Sequence, residues 1–242
     1  MSLNNILSGL EPNPASYASA SAEIENMSCS LLHSARIGIL SSFTSNHLKP
    51  YLVVEAARRG IFADIFFGPY GQFEQQILVP DSSLCDFNPD VLVIAALLED
   101  FSPLLTEGFL SLDQISVQSE IDSVCCRMKG MLESFRGQGT AKLLVFNFTL
   151  PGAPAAGLAD PMLRSSQTEA VASLNSRLAK ICASVSECYV FDYEHLVRDI
   201  GREKMSDNKL QFLARIPFSA EAQKKVSERL SRYIHALFNP PR

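Results

Sequence analysis

The sequence predicts an α/β domain with a mostly parallel five-stranded sheet, covered by helices on both faces as a three-layer sandwich. Two observations support this prediction. Five short apolar segments alternate with longer segments in which apolar residues recur at helical spacing. One of the short segments, Val91–Ala96, is apolar at every position, which is typical of a parallel strand buried on both faces. Strands joined through helices form right-handed crossovers, so we expect flavodoxin-like order.

The elements follow from this alternation in chain order. The predicted strands are Arg36–Ser41, Ala63–Phe67, Val91–Ala96, Lys142–Phe148 and Cys188–Asp192. The longer predicted helices are His47–Arg59, Gln114–Phe135, Ser165–Ser184 and Ser219–Phe238. Gly60 is a suitable stop for the first helix, and Ser219 is a suitable N-cap for the last.

The N-terminal segment differs in composition from the rest. We interpret residues 1–35 as a helical or flexible segment and residues 36–242 as the α/β domain. The segment is rich in Ser, Asn and Ala, and short amphipathic helices laid against the domain are suggested by Ile6, Leu10, Ile24, Met27, Leu31 and Leu32.

Composition excludes several classes of protein. A net charge of −5 and a pI near 5.4 argue against a general nucleic-acid binder, which needs a basic surface to neutralise phosphates. No apolar run approaches the roughly 18 residues that a membrane span needs. The six cysteines form no C-x-x-C pair, and no secretory signal is visible, so we expect reduced structural thiols and a cytoplasmic protein.

Polar residues follow the predicted strands at the edge where parallel sheets bind ligands. The first strand leads through Ser41, Ser42 and Thr44 into a helix, where hydroxyl and backbone N–H groups either bind an anion or cap the helix. Asn147 lies near the end of the fourth predicted strand and either donates to a ligand or ties down a loop. Asp100 and Asp192 follow the third and fifth strands, where carboxylates orient a base, cap a helix or face water.

Motifs for familiar chemistries are missing. The sequence has no G-x-S-x-G, P-loop, G-x-G-x-x-G or H-E-x-x-H. A serine nucleophile needs an imidazole within hydrogen-bond reach, and only His47 is close in sequence to Ser42. We therefore predict no metal ligands and no nucleotide cofactor in this chain.

Several short segments, in order over residues 36–238, resemble the N-terminal domain of FkbH-like proteins. They are Ile39–Thr44, Asp86–Val93, Asn147–Pro151, Leu174-Asn175, Val190–Asp192, and the stretch from Asp207 through Ala214-Arg215-Ile216-Pro217-Phe218-Ser219. The resemblance implies an SGNH-hydrolase-like fold. It also implies a following haloacid-dehalogenase-type phosphatase domain with an Asp-x-Asp-x-Thr motif and Mg²⁺. No such motif occurs here, so we expect that domain either beyond Arg242 or in a separate chain.

The resemblance further implies a step of polyketide biosynthesis. In it, a glyceryl unit is loaded from a bisphosphoglycerate onto the phosphopantetheine thiol of an acyl carrier protein. The implied partners are therefore a carrier protein, a phosphorylated three-carbon acid and a phosphatase domain in cis or in trans.

This sequence departs from SGNH enzymes at their catalytic blocks. The Gly-Asp-Ser block corresponds to Leu40-Ser41-Ser42 and keeps only the serine, and the Gly-x-Asn-Asp block near Leu97–Asp100 keeps at best Asp100. The Asp-x-x-His block corresponds to Ala214-Arg215-Ile216-Pro217, so both catalytic groups are missing. Without a base, Ser42 is a weak nucleophile, unless Asp207 or His47 substitutes.

These departures favour a non-hydrolytic domain that binds substrate or carrier protein. Ser42 is the candidate catalytic residue, and the candidate ligand-binding residues are Ser41, Thr44, Asn147, Asp207 and Arg215. Two alternatives remain: an active esterase or acyl transferase that uses Ser42, and a structural dimerisation domain that uses the apolar ridge of the last helix.

Overall fold

Five parallel strands form one sheet in the order β2-β1-β3-β4-β5. In the computed structural model, which describes residues 3–27 and 32–239, the strands are β1 His33–Ser41, β2 Ile61–Phe67, β3 Val91–Ala95, β4 Lys142–Phe146 and β5 Cys188–Phe191. In the central register, Ile39 of β1 lies opposite Phe67 of β2 and Val93 of β3. All pairs are parallel, which confirms the predicted α/β class.

Helices cover both faces of the sheet and also precede it. Those of the described residues are α1 Leu3–Ser8, α2 Pro14–Glu25, α3 Lys49–Ala57, α4 Phe73–Leu78, α5 Ser83–Phe87, α6 Leu98–Phe101, α7 Pro103–Thr106, α8 Gln114–Gln138, α9 Gln167–Ser184, α10 Tyr193–Ile200, α11 Arg202–Met205, α12 Asn208–Ala214 and α13 Ala220–Phe238. Short 3₁₀ helices span Asn46–Leu48, Phe109–Ser111 and Gly157–Met162. Each helix is either too short or too polar to traverse a bilayer, as far as the chain is described.

Two apolar cores lie on opposite faces of the sheet because strand side chains alternate between faces. Leu92 and Ile94 of β3 face the core beneath α8 and α9. Val91 and Val93 face the other core, which α3 and α13 cover. All five residues of β3 are buried, and each large apolar side chain contributes roughly 1.5–3 kcal/mol relative to exposure.

The apolar ridge of α13 is part of the second core. Val226, Leu230 and Ile234 are each no more than 1% exposed. A dimer formed through this ridge would require the helix to leave its own domain, so the predicted dimerisation surface is not available.

The N-terminal helices pack against α3. Tyr17 of α2 is buried, its ring centroid lies 4.7 Å from that of Tyr51, and its hydroxyl donates to the Glu55 carboxylate at 3.3 Å. Ile6 and Ile24 are buried in the same cluster, and Leu10, Met27 and Leu32 pack partly buried against it. The predicted contributor Leu31 lies outside the described residues, as does Cys29, and the other five cysteines are free thiols.

Two strands end earlier than predicted, next to candidate site residues. The fourth strand ends at Phe146 and the fifth at Phe191, so Asn147 and Asp192 belong to the following loops. The short helices between Phe73 and Thr106 were not predicted, because segments of four to six residues carry too little periodicity to recognise. These loops and short helices surround the carboxyl edge of the sheet.

Candidate ligand-binding cleft

Two adjoining chambers form a cleft at the carboxyl edge of the sheet. The Ser42 chamber has a volume of about 40 Å³ and the Arg202 chamber a volume of about 190 Å³. The first is lined by Ser42, Phe43, Tyr70, Asp100 and Arg215, the second by Thr149, Tyr193, Val197, Arg202, Met205 and Ser206, and both by Leu97, Glu99, Gln211 and Pro217. The shared residues form a wall between the two chambers, which therefore lie side by side.

Ser42 lies at the floor of its chamber and joins the ends of two strands. Its backbone N–H donates to the Ala95 carbonyl at 3.2 Å, and its Oγ accepts from the Leu97 N–H at 3.0 Å. The residue is only 6% exposed. These bonds hold the hydroxyl in place, but they provide no group that would remove its proton.

His47 does not act as a base for Ser42 in this structure. Both ring nitrogens are buried without a hydrogen-bond partner among the described residues, and the ring packs 6.2 Å from that of Phe218. Burial lowers the pKa of His47 to about 4, so the imidazole is neutral at pH 7. An imidazole that bonds to nothing cannot accept the serine proton in this geometry.

Arg215 follows α12 directly in the chain. It ends α12 in a left-handed conformation with φ of 54°, and its carbonyl accepts from the Thr44 N–H at 3.0 Å. Its side chain lines the Ser42 chamber and makes no ion pair within 4 Å in the described part of the chain. The chamber thus contains a cation close to the serine.

Glu99 faces both chambers from the first turn of α6. Burial by the surrounding walls raises the pKa of Glu99, the carboxylates of Asp100 and Glu107 raise it further, and Arg215 opposes them. Glu99 therefore takes up a proton more readily than a free glutamate does.

The buried carboxylate of Glu194 forms ion pairs beside the Arg202 chamber. Glu194, whose side chain is 5% exposed, accepts from the Leu150 N–H at 2.7 Å and lies 3.4 Å from the Arg202 guanidinium and 3.3 Å from that of Arg198. Burial raises the pKa of the neighbouring Tyr193, and Glu99 adds to the shift. Sequence reasoning missed this group, although Glu194, Arg198 and Arg202 recur at a spacing of four residues, which places charges on one helical face.

Three of the predicted binding residues form hydrogen bonds within the protein. The Ser41 hydroxyl donates to the Phe43 carbonyl at 2.7 Å and lies 2.8 Å from the Ser45 hydroxyl, inside a turn. The exposed Asp207 accepts from the first backbone N–H groups of α12 as its N-cap. Thr44 contributes its backbone N–H to the Arg215 carbonyl and does not line either chamber.

Asn147 bonds within the protein, in the manner of the loop-tying alternative. Its amide donates to the Asp192 carboxylate at 2.8 Å and its carbonyl accepts from the Glu194 N–H at 2.9 Å. Asp192 in turn caps α10 by accepting from the His195 N–H at 3.0 Å. The Ser42 chamber accordingly lies between the first turn, α6 and the segment 211–217.

Comparisons with known proteins agree with this architecture. The family model for the FkbH N-terminal domain matches residues 36–234. No significant match was found among the curated proteins.

Among solved structures, one match is the N-terminal part of the protein BF1531 from Bacteroides fragilis, described as containing a phosphatase domain complexed with Mg. That match has 18% identity and a TM-score of 0.74. It covers 90% of this chain but 56% of the other, so this chain spans little more than half of that structure's length.

The lipase Lip_vut3 from a goat rumen metagenome matches with 16% identity and a TM-score of 0.54, covering 83% of this chain and 96% of the lipase. A putative GDSL-like lipase from Parabacteroides merdae matches with 11% identity and a TM-score of 0.46, covering 87% and 100%. The structural likeness establishes a shared fold, and the family model covers most of the sequence. The chain belongs to the FkbH N-terminal domain family.

Proposed function

We propose that this chain is a non-hydrolytic SGNH-like domain that binds substrate or carrier protein for an FkbH-like enzyme. That enzyme loads a glyceryl-type unit from a bisphosphoglycerate onto an acyl carrier protein. The observation that carries the proposal is the composition of the cleft: Ser42 lies in it beside Arg215, with no imidazole bonded to the serine among residues 3–27 and 32–239.

The chemistry of the cleft favours binding over hydrolysis. A serine hydroxyl attacks esters at neutral pH only when a base accepts its proton, and the histidine nearest in sequence is unbonded and neutral. Arg215 supplies a cation without an ion pair, and guanidinium groups suit phosphate and carboxylate ligands. Ser42 then serves as a hydrogen-bonding group.

A phosphatase domain, in cis or in trans, completes the proposed enzyme. The BF1531 structure is described as containing a phosphatase domain complexed with Mg, and this chain corresponds to about half of that structure. We assign Mg²⁺ to such a domain and no cofactor to the chain itself. No cluster of three His, Cys, Asp or Glu side chains suited to a metal was found over residues 3–27 and 32–239.

A titration monitored by amide chemical shifts tests the proposal. We expect 3-phosphoglycerate or 4′-phosphopantetheine to shift the signals of Ser42, Thr44 and Glu99, which lie in or beside the Ser42 chamber. Arg215→Gln should reduce these shifts, whereas Lys209→Gln on the exposed face of α12 should not. A flat response with both compounds would remove the proposed binding role.

A further inference from the structure

The Arg202 chamber was not predicted from the sequence, and it is the larger part of the cleft. Its wall carries the side chains of Thr149, Ser206 and Gln211, with Arg202 beside them. Its volume of about 190 Å³ is below the roughly 300–1,000 Å³ of pockets that hold drug-sized ligands. The chamber therefore suits a compact, polar molecule.

Arg202 is held in place by its surroundings. One Arg202 nitrogen lies 3.4 Å from each oxygen of the buried Glu194. Gly152 permits this packing, because a Cβ at that position would lie 3.1 Å from Cδ of Arg202. An arginine positioned in this way loses less rotamer freedom when it binds an anion.

The local charge favours an anion next to Arg202. Glu194 is a single carboxylate between two guanidinium groups, those of Arg198 and Arg202. One positive charge therefore remains uncompensated in this group. Arg202 lines the chamber, whereas Arg198 does not and has a 64% exposed side chain.

We propose that the Arg202 chamber binds the phosphate of a phosphorylated three-carbon acid, with Arg202 as the specificity-determining residue. The acid portion of the ligand then extends past Glu99 toward Ser42 and Arg215. This inference rests on the proposed function and adds to it the position of the phosphate. A three-carbon acid matches the small volume of the chamber better than a whole phosphopantetheine arm.

Glu99 opposes an anion while it is ionised, so binding and protonation are coupled. Its charged neighbours are Asp100, Glu107 and Arg215, and the Tyr193 hydroxyl is affected by the same carboxylate. Burial and the two acidic neighbours already raise the pKa of Glu99, and a bound phosphate raises it further. Binding of the ligand should accordingly be accompanied by proton uptake at Glu99.

Calorimetric titration with 3-phosphoglycerate tests the inference. Arg202→Gln keeps a hydrogen-bonding side chain beside Glu194 but removes the charge, and it should weaken binding by about tenfold or more. The matched control Arg198→Gln removes a charge from the same carboxylate outside the chamber, and it should change the affinity by less than about twofold.

Further measurements separate the contribution of the phosphate to the affinity from that of the rest of the ligand. Glycerate, which lacks the phosphate, should bind wild type and Arg202→Gln equally weakly. Gly152→Ala requires the Arg202 side chain to shift by a few tenths of an ångström without altering any charge, and it should weaken 3-phosphoglycerate binding by a smaller factor, about threefold. Glu99→Gln should abolish the proton uptake that accompanies binding, and thermal unfolding of each variant checks that it is folded.

The outcomes distinguish the inference from the function on which it rests. If wild type binds 3-phosphoglycerate and Arg202→Gln binds as tightly as Arg198→Gln, the phosphate is not held by Arg202 and the inference fails alone. If neither 3-phosphoglycerate nor 4′-phosphopantetheine binds wild type, the proposed function fails together with the inference.

Discussion

The two sides of the cleft are built from different parts of the fold. The Ser42 side consists of strand ends, tied together by the bond between the Ser42 hydroxyl and the Leu97 N–H. The Arg202 side consists of short helices after the last strand, held by the buried Glu194. The first side presents a serine hydroxyl that bonds to the backbone, and the second carries an ion-pair group. The two sides therefore differ in charge: one offers a neutral hydroxyl, the other a carboxylate between two guanidinium groups.

The largest expected effect is a loss of stability on acidification, caused by the buried ring of His47 near the Ser42 side. The pKa of His47 is about 4 in the folded protein and close to 6.5 in the unfolded chain, because burial disfavours the charged ring. The unfolded state therefore binds more protons as the pH falls below 6.5. Stability should decrease between about pH 6.5 and pH 4, by about 3 kcal/mol from this residue.

Urea unfolding at several pH values measures this loss. His47→Leu should make the dependence shallower over the same range. A His47→Leu profile identical to wild type would contradict the assignment.

Removal of the central carboxylate should disrupt the Arg202 side. Glu194→Ala leaves the Leu150 N–H and two guanidinium groups without their shared acceptor. Because both arginines remain partly hydrated, we expect a loss of about 2 kcal/mol in the free energy of unfolding. Glu203→Ala, at an exposed position of α11, serves as the control. Equal stabilities of the two variants would show that Glu194 does not organise this side.

Ser42→Ala should cost about 1 kcal/mol, because the Leu97 N–H loses its acceptor at a part-buried site. Ser206→Ala alters an exposed hydroxyl on the other side of the cleft and should change stability by less than half of that amount. Denaturant unfolding of both variants measures the difference. A Ser42→Ala protein as stable as wild type would indicate that this bond does not join the strand ends.

The smallest expected effect is on hydrolysis. Wild type and Ser42→Ala should turn over generic ester, thioester and phosphate-ester substrates equally slowly, because no base is bonded to the serine. Spectrophotometric assays at pH 7 test this. Turnover by wild type that Ser42→Ala abolishes would establish the alternative of an active esterase or acyl transferase.

The sheet could be predicted well because its signal is local. The uninterrupted apolar run of β3 requires burial on both faces, and the intervening helices require parallel connections. Candidate residues at the strand ends were harder to assign. Asn147 and Asp192 are 45 residues apart in sequence, and their mutual bond decides that both organise the start of α10. Nothing in either local segment distinguishes such a cap from a ligand contact.

Residue order alone was sufficient for the strand pattern and for the serine after β1. Tertiary packing alone decided that the His47 ring nitrogens are buried without a hydrogen-bond partner in the described part of the chain, that Asp207 caps its own helix, and that Glu194 lies beside Arg202. The physical reason is that an apolar period acts over neighbouring residues, whereas the role of a polar side chain depends on which distant donors and acceptors the fold brings within about 3 Å of it.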